Sequence, residues 1–187
     1  MRTIKLIVVF FCCLFFGTAQ AQDHDLIFTI QNYLQQGDVL NAKLASDSAI
    51  NSKELKNSAR AWYLRGYSYK EYYKKFELGT HALPTREESY RSFVQSIKID
   101  ANNELVAENQ KNLKTLSTLY YNDVKSFLDT FNTTDAVKYY ELYKRTMLAA
   151  DSSFDFSKKE IDVNLALGST FLKLAETTDT IMRKMYL

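Results

Sequence analysis

Proline and glycine are nearly missing from this chain. One proline, Pro84, and five glycines punctuate 187 residues. Without chain-breakers, and with apolar residues recurring three and four apart, the sequence can only build helices. No run alternates apolar and polar residues long enough to mark a strand. The pattern predicts helices over about 24–36, 39–50, 54–78, 86–99, 104–130, 134–150, 158–177 and 179–187. Short links between them predict antiparallel helical hairpins.

Capping chemistry marks the breaks. Gly37-Asp38 offers a left-handed exit followed by an N-cap. Thr85 with Glu88, and Ser157 with Glu160, have capping-box spacing, and Phe156 and Ile161 flank the second box as a hydrophobic staple. Asn102-Asn103 and Asn132-Thr133-Thr134 mark two further turns. Asn132-Thr133-Thr134 also fits the N-glycosylation pattern, but between two helices an N-cap is the simpler role.

The first 21 residues stand apart. Arg2 and Lys5 precede an unbroken apolar run over 6–16, and Ala19 and Ala21 follow in the spacing a signal peptidase reads. Eleven apolar residues are too few to span a bilayer. The expectation is a secretory signal peptide over 1–21, an exported domain over 22–187, and a periplasmic or secreted location. Cys12 and Cys13 lie within the apolar run, so cleavage leaves no disulfide and no thiolate metal site. Cleavage also removes two of the 24 basic residues, leaving 22 against 22 acidic ones. A balanced charge gives no reason to expect a nucleic acid as partner.

Trp62-Tyr63-Leu64-Arg65-Gly66, with Tyr69 three residues on, resembles the first helix of a tetratricopeptide repeat. Ser89, Phe93 and Ser96 are similarly spaced to its second helix. Arg65 takes the place of a leucine, serines stand for alanines, and Ala101 stands where proline is usual. The frame recurs with anchors at Leu26, Leu113 and Asn164, giving steps of 36, 51 and 51 residues. The resemblance implies an all-α, right-handed α-solenoid of about three and a half hairpins, with repeats near 23–52, 58–103, 109–156 and a partial 158–187. It implies structural roles for Trp62, Gly66, Tyr69, Phe93, Tyr120, Gly168 and Phe171: bulky anchors, and small residues where helices approach closely. The excess length of the third unit predicts two extra turns on each of its helices, with Phe127, Leu128, Phe131, Val137 and Tyr140 at the tip. Those residues suit packing within the hairpin better than a docking knob. The last helix, 179–187, would end an open solenoid without a polar cap. This predicts cover by further chain or by end-to-end contact with a second copy.

Catalytic signatures are missing from the sequence. His24 and His81 belong to no metal-ligand spacing, and there is no phosphate-cradling glycine loop, serine elbow or cysteine nucleophile. A chain beginning Gln22-Asp23-His24 has the donors of a square-planar copper or nickel site, but cyclisation of the glutamine removes its amine, and an ordinary exposed terminus is the simpler reading. The expectation is a non-enzymatic protein with no cofactor and no metal.

In the tetratricopeptide family the concave groove is lined by first helices. The resemblance therefore implies a groove formed by Arg60, Tyr63, Tyr67 and Lys70 in the second unit and by Lys114, Thr118, Tyr121 and Asn122 in the third. Aromatic platforms beside lysines and an amide suit an extended peptide or protein tail. The competing functions are the ectodomain of a membrane sensor or regulator and a glycan-binding accessory protein. A solvated helix face with scattered aromatics is the plain alternative.

Overall fold

The structure, a computed structural model, describes residues 18–79 and 83–185, with side chains over 26–79 and 83–178. The apolar run over 6–16 and His81 lie outside the described residues, as do the side chains of Gln22, Asp23 and His24. Among the described residues the protein is all-α: α1 Thr18–Gln35, α2 Val39–Asn51, α3 Ala59–Tyr72, α4 Leu83–Ile99, α5 Val106–Asp129, α6 Thr133–Ala150 and α7 Ser157–Met185, with no strand. A π-helical turn, Tyr73–Glu77, prolongs α3. The chain divides into two compact units, Met1–Asn109 and Gln110–Leu187.

In the first unit α3 is the central element, packed against α1, α2 and α4. Its start is set by Ser58, whose side chain accepts from the Ala61 N–H, five residues later than the sequence pattern suggests. The intervening residues form turns held by Ser52 Oγ, which accepts from the Leu55 N–H, and by Trp62 Nε1, which donates to the Lys56 carbonyl at 2.8 Å. Gly37 has φ +71°, the left-handed exit expected of it, and Asp38 caps α2 by accepting from the Asn41 N–H. Val39, Ala42, Ser46 and Ala49 then bury one narrow face of α2, and their small size lets the helix lie close to its neighbours.

The α3–α4 contact is closest at Gly66. A Cβ built there would sit 2.7 Å from the ring of Phe93, a fully buried side chain. Two serines stitch the same contact. Ser89 Oγ donates to the Gly66 carbonyl at 2.9 Å and Ser96 Oγ to the Ala59 carbonyl at 2.8 Å. The paired positions run in opposite directions along the two helices, so the pair is antiparallel. Serine in place of alanine thus adds hydrogen bonds without adding bulk.

Arg65, the residue out of keeping with the repeat pattern, ties three helices together. Its Nε donates to Asp47 Oδ1 of α2 at 2.8 Å, Nη1 to Ser92 Oγ of α4 at 2.7 Å, and Nη2 to Tyr69 OH at 3.1 Å and to Glu88 Oε2 of α4 at 2.9 Å. Tyr69 in turn donates to Asp47, and Lys43 lies 4.5 Å from the Tyr69 ring centre. Burial works against the charged guanidinium, yet hydrogen bonds to Asp47 and Glu88 outweigh it and hold the Arg65 pKa above its ordinary value.

This use of Glu88 corrects an expectation. Helix α4 begins at Leu83, so Thr85 lies inside its first turn rather than capping it, and Glu88 pairs with Arg65 and Arg91. Pro84 is tolerated there because first-turn N–H groups have no intrahelical acceptor.

In the second unit α5 and α6 form a hairpin through ring contacts: Tyr120 with Tyr139 at 6.1 Å, Phe127 with Tyr139 at 4.9 Å, and Tyr121 with Tyr143 at 5.1 Å. Leu113, Leu116 and Tyr120 are fully buried. The hairpin closes at Phe131, which adopts φ +60° while the Asn132 N–H donates back to the Phe127 carbonyl. Asn132 caps α6 by accepting from the Asp135 N–H, which agrees with the cap reading. The expected even elongation is not found: α6 has 18 residues against 17 in α4, and α5, with 24, takes the excess. At the tip Phe127 and Tyr140 pack inward, whereas Phe131 and Val137 are exposed.

The helices expected over 158–177 and 179–187 need the largest correction. No break separates 158–177 from 179–187, because α7 runs unbroken through Met185. Thr177 and Thr178, expected at a turn, donate their hydroxyls to the Lys173 and Leu174 carbonyls one turn back, so neither acts as a cap. Among the described residues nothing lies within 4 Å of a Cβ added at Gly168, and Phe171 is 56% exposed. Neither holds the structural role that the resemblance implies. The Ser157 box is displaced as well: Asp155 Oδ1 accepts from the Ser157 N–H, and Ile161 is exposed rather than stapled to Phe156.

Gly66→Ala should lose about 1–3 kcal/mol in urea denaturation, because the Phe93 ring must be displaced. Gly168→Ala should instead gain up to about 1 kcal/mol in the single chain, where the site is open among the described residues. Arg65→Met should cost about 2–3 kcal/mol by stranding Asp47 and Glu88, which are only partly buried. Arg65→Lys should not rescue it, since one ammonium cannot reach partners on both sides.

Candidate functional site

Helix α3 carries a ladder of two rings flanked by a cation at each end. Arg60, Tyr63, Tyr67 and Lys70 are spaced three, four and three residues apart, which places them on one helix face. The Arg60 guanidinium lies 5.6 Å from the Tyr63 ring centre, Tyr63 and Tyr67 are 6.2 Å apart, and Lys70 Nζ lies 4.2 Å from the Tyr67 ring centre. Cation–π contact orients such side chains. The ladder is not evenly open to solvent. Arg60 is exposed, and the two tyrosines are half-buried. Tyr63 also leans on Phe93 and on the apolar cluster around Ile30 and Leu64. Lys70, expected to face an open groove, is instead buried and bridges to Glu71 at 3.1 Å.

The Tyr67 end of the ladder opens into a cleft of ≈ 340 Å³. Leu34 and Val39 line it as apolar walls, Tyr67 as an aromatic one, and Glu71, Lys74 and Lys75 supply charge. Lys74 Nζ lies 3.1 Å from the Glu71 carboxylate. Lys75 Nζ donates to the Gly37 carbonyl at 2.8 Å, spanning from the π turn to the α1–α2 link. That bond joins the π turn to the left-handed corner at Gly37 and shapes one rim of the cleft. A π turn widens the helix and re-aims its side chains. The sequence suggested Tyr67 but not Glu71, Lys74 or Lys75. The only sign of these three was their spacing from Tyr67, four, seven and eight residues on.

The other four residues lie on α5, in the second unit. Lys114 is exposed and sits 3.6 Å from Asp151, while Thr118 donates its hydroxyl to the Lys114 carbonyl. Asn122 is exposed. Tyr121 differs from these three. It is half-buried against Tyr143, with Lys125 at 5.0 Å and Lys159 at 4.6 Å from its ring centre. Tyr143 also meets Phe156 edge-on at 5.7 Å and Tyr140 at 5.7 Å. The Tyr140 hydroxyl is buried without a hydrogen-bond partner. Burial, with the charge of Glu160 behind it, pushes the Tyr140 pKa up to about 12.

Among the described residues no group of three His, Cys, Asp or Glu side chains is placed to hold a metal, and no helix is long and apolar enough to cross a membrane. No protein-family model, curated protein or solved structure matches the chain.

Tyr140→Phe should leave the fold unchanged or stabilise it by about 1 kcal/mol, since it removes a buried donor that has no acceptor. A phenol whose folded pKa is raised contributes stability below its unfolded value near 10, and that contribution is lost as pH rises towards 12. The variant should therefore lose less stability than the wild type between those limits, as alkaline denaturation monitored by circular dichroism will report.

Proposed function

We propose that this chain is an exported, non-enzymatic scaffold of tetratricopeptide-like helical hairpins that holds an extended peptide or protein tail. The observation that carries this reading is the α3 ladder ending at the cleft beside Gly37. It is a row of aromatic faces and fixed cations, followed by a concave apolar pocket with charged rims. Extended chains are held by such surfaces: rings and pockets take alternate side chains, and lysines and carboxylates fix the polar groups between them. The Gly66–Phe93 contact and the serine stitches support the hairpin part of the reading, because close antiparallel packing through small residues is what the repeat pattern requires. Export is inferred from the basic, apolar and small-residue order of the first 21 residues.

A partner recovered from the native envelope by pull-down provides the ligand for titration. Tyr67→Ala should weaken its binding by about 2 kcal/mol or more, as truncation of an aromatic anchor commonly does. Lys98→Ala, at an exposed position late in α4, should change binding by less than about 0.5 kcal/mol. Equal effects at the two positions would exclude recognition by the ladder. Tyr63→Ala is a poorer probe because Tyr63 also packs on the core.

A further inference from the structure

Helix α7 is apolar on two faces, and among the described residues only one of them is covered. Val163 and Thr170 are buried, at 4% and 6% exposure. A second row, Ile161, Leu165, Gly168, Leu172 and Ala175, follows steps of four, three, four and three. Leu165 is two residues from Val163 and Leu172 two from Thr170, which at 100° per residue puts the second row on the far side of the helix. All five of its residues are exposed, with Ile161 at 60%, Leu165 at 67% and Leu172 at 68%. A four–three row is the seam of a helix that packs on another helix. A helix apolar on opposite sides is normally covered on both.

Gly168 points the same way. It weakens a helix interior and, with nothing within 4 Å of an added Cβ, relieves no contact among the described residues. In the seam it is a hole.

We propose that α7 pairs antiparallel with α7 of a second copy, about a twofold axis between Leu165 and Gly168. The order of sizes along the seam selects this partner. Run backwards against itself, the seam sets Ile161 against the second copy's Leu172 and Leu165 into the hole at the second copy's Gly168. Ala175 meets the aliphatic stem of the second copy's Lys158. Every large residue then has a large or vacant site opposite, and the two halves of the contact are identical, as a twofold interface demands. A parallel pairing would set Gly168 on Gly168 and leave a void in the middle of the seam. In the antiparallel pair Asp162 falls beside Ser169 of the second copy rather than beside another carboxylate. The contact is lateral, between helix flanks, and does not depend on the ladder or on a partner peptide.

Sedimentation velocity of the full-length protein over a wide concentration range should show a reversible species of twice the chain mass. Leu165→Lys, at a site already facing solvent, should leave helicity intact and raise the dissociation constant by roughly tenfold or more. Gly168→Leu should do the same by filling the hole. In an Ile161→Cys/Leu172→Cys variant, oxidation should link position 161 of one copy to position 172 of the other, as read by peptide mapping. Links of 161 to 161 and 172 to 172 would overturn the antiparallel register. A monomer at every concentration, or a dimer indifferent to Leu165→Lys and Gly168→Leu, would overturn the proposal. So would a seam found occupied by a different protein.

Discussion

One guanidinium organises the first unit. Arg65 stands on the central helix, where the repeat pattern would put a leucine, and a leucine there would bind its neighbours through shape alone. The arginine binds them through direction. Its planar fork meets Asp47 on one side and Ser92 and Glu88 on the other, so α2 and α4 are each held at a fixed rotation about α3. Everything that depends on those rotations follows: the Phe93 ring lies over Gly66, both serine stitches meet carbonyls, and the ladder faces away from the network. Burying charge is costly, and the network is tolerable because Asp47 and Glu88 keep roughly a third of their side-chain surface in water.

Much of this fold was legible in the sequence because helix boundaries are written in local chemistry. Gly37, Asp38 and Asn132 did what their side chains and backbone freedom suggest. Gly66 and Phe93 were legible from spacing, since a small residue facing a large one is a recognisable pair. The errors also have a local cause. Threonine and serine hydroxyls serve equally well as caps or as back-bonds within a helix, and sequence does not say which. At Thr177 and Thr178 the back-bond won and one long helix replaced two. At Thr85 the helix already includes the residue, and at Ser157 Asp155 supplies the turn.

The candidate site was legible along one helix and opaque across helices. Arg60, Tyr63, Tyr67 and Lys70 share a face by periodicity alone, so their alignment needed no tertiary knowledge. How deep each lies did: Lys70 is buried by neighbours that no spacing rule names. The cleft was hidden for the same reason, since Lys75 reaches a carbonyl 38 residues away. Arg65 was visible only as a departure from a pattern. The departure proved more informative than the match.

The serine stitches carry a consequence for how this lineage can change length. Ser89 and Ser96 are seven residues apart, and so are the carbonyls of Ala59 and Gly66 that they meet. A single inserted or deleted codon between either pair would turn one stitch by 100° and pull it off its partner. Indels should therefore be purged from 59–66 and 89–96 and collect outside the packed helices, where no stitch fixes the register. The π turn at Tyr73–Glu77 fits that rule. It accommodates one extra residue per turn on the same helix, beyond the last stitch, where added length shifts a rim of the cleft and leaves the packed pair in register.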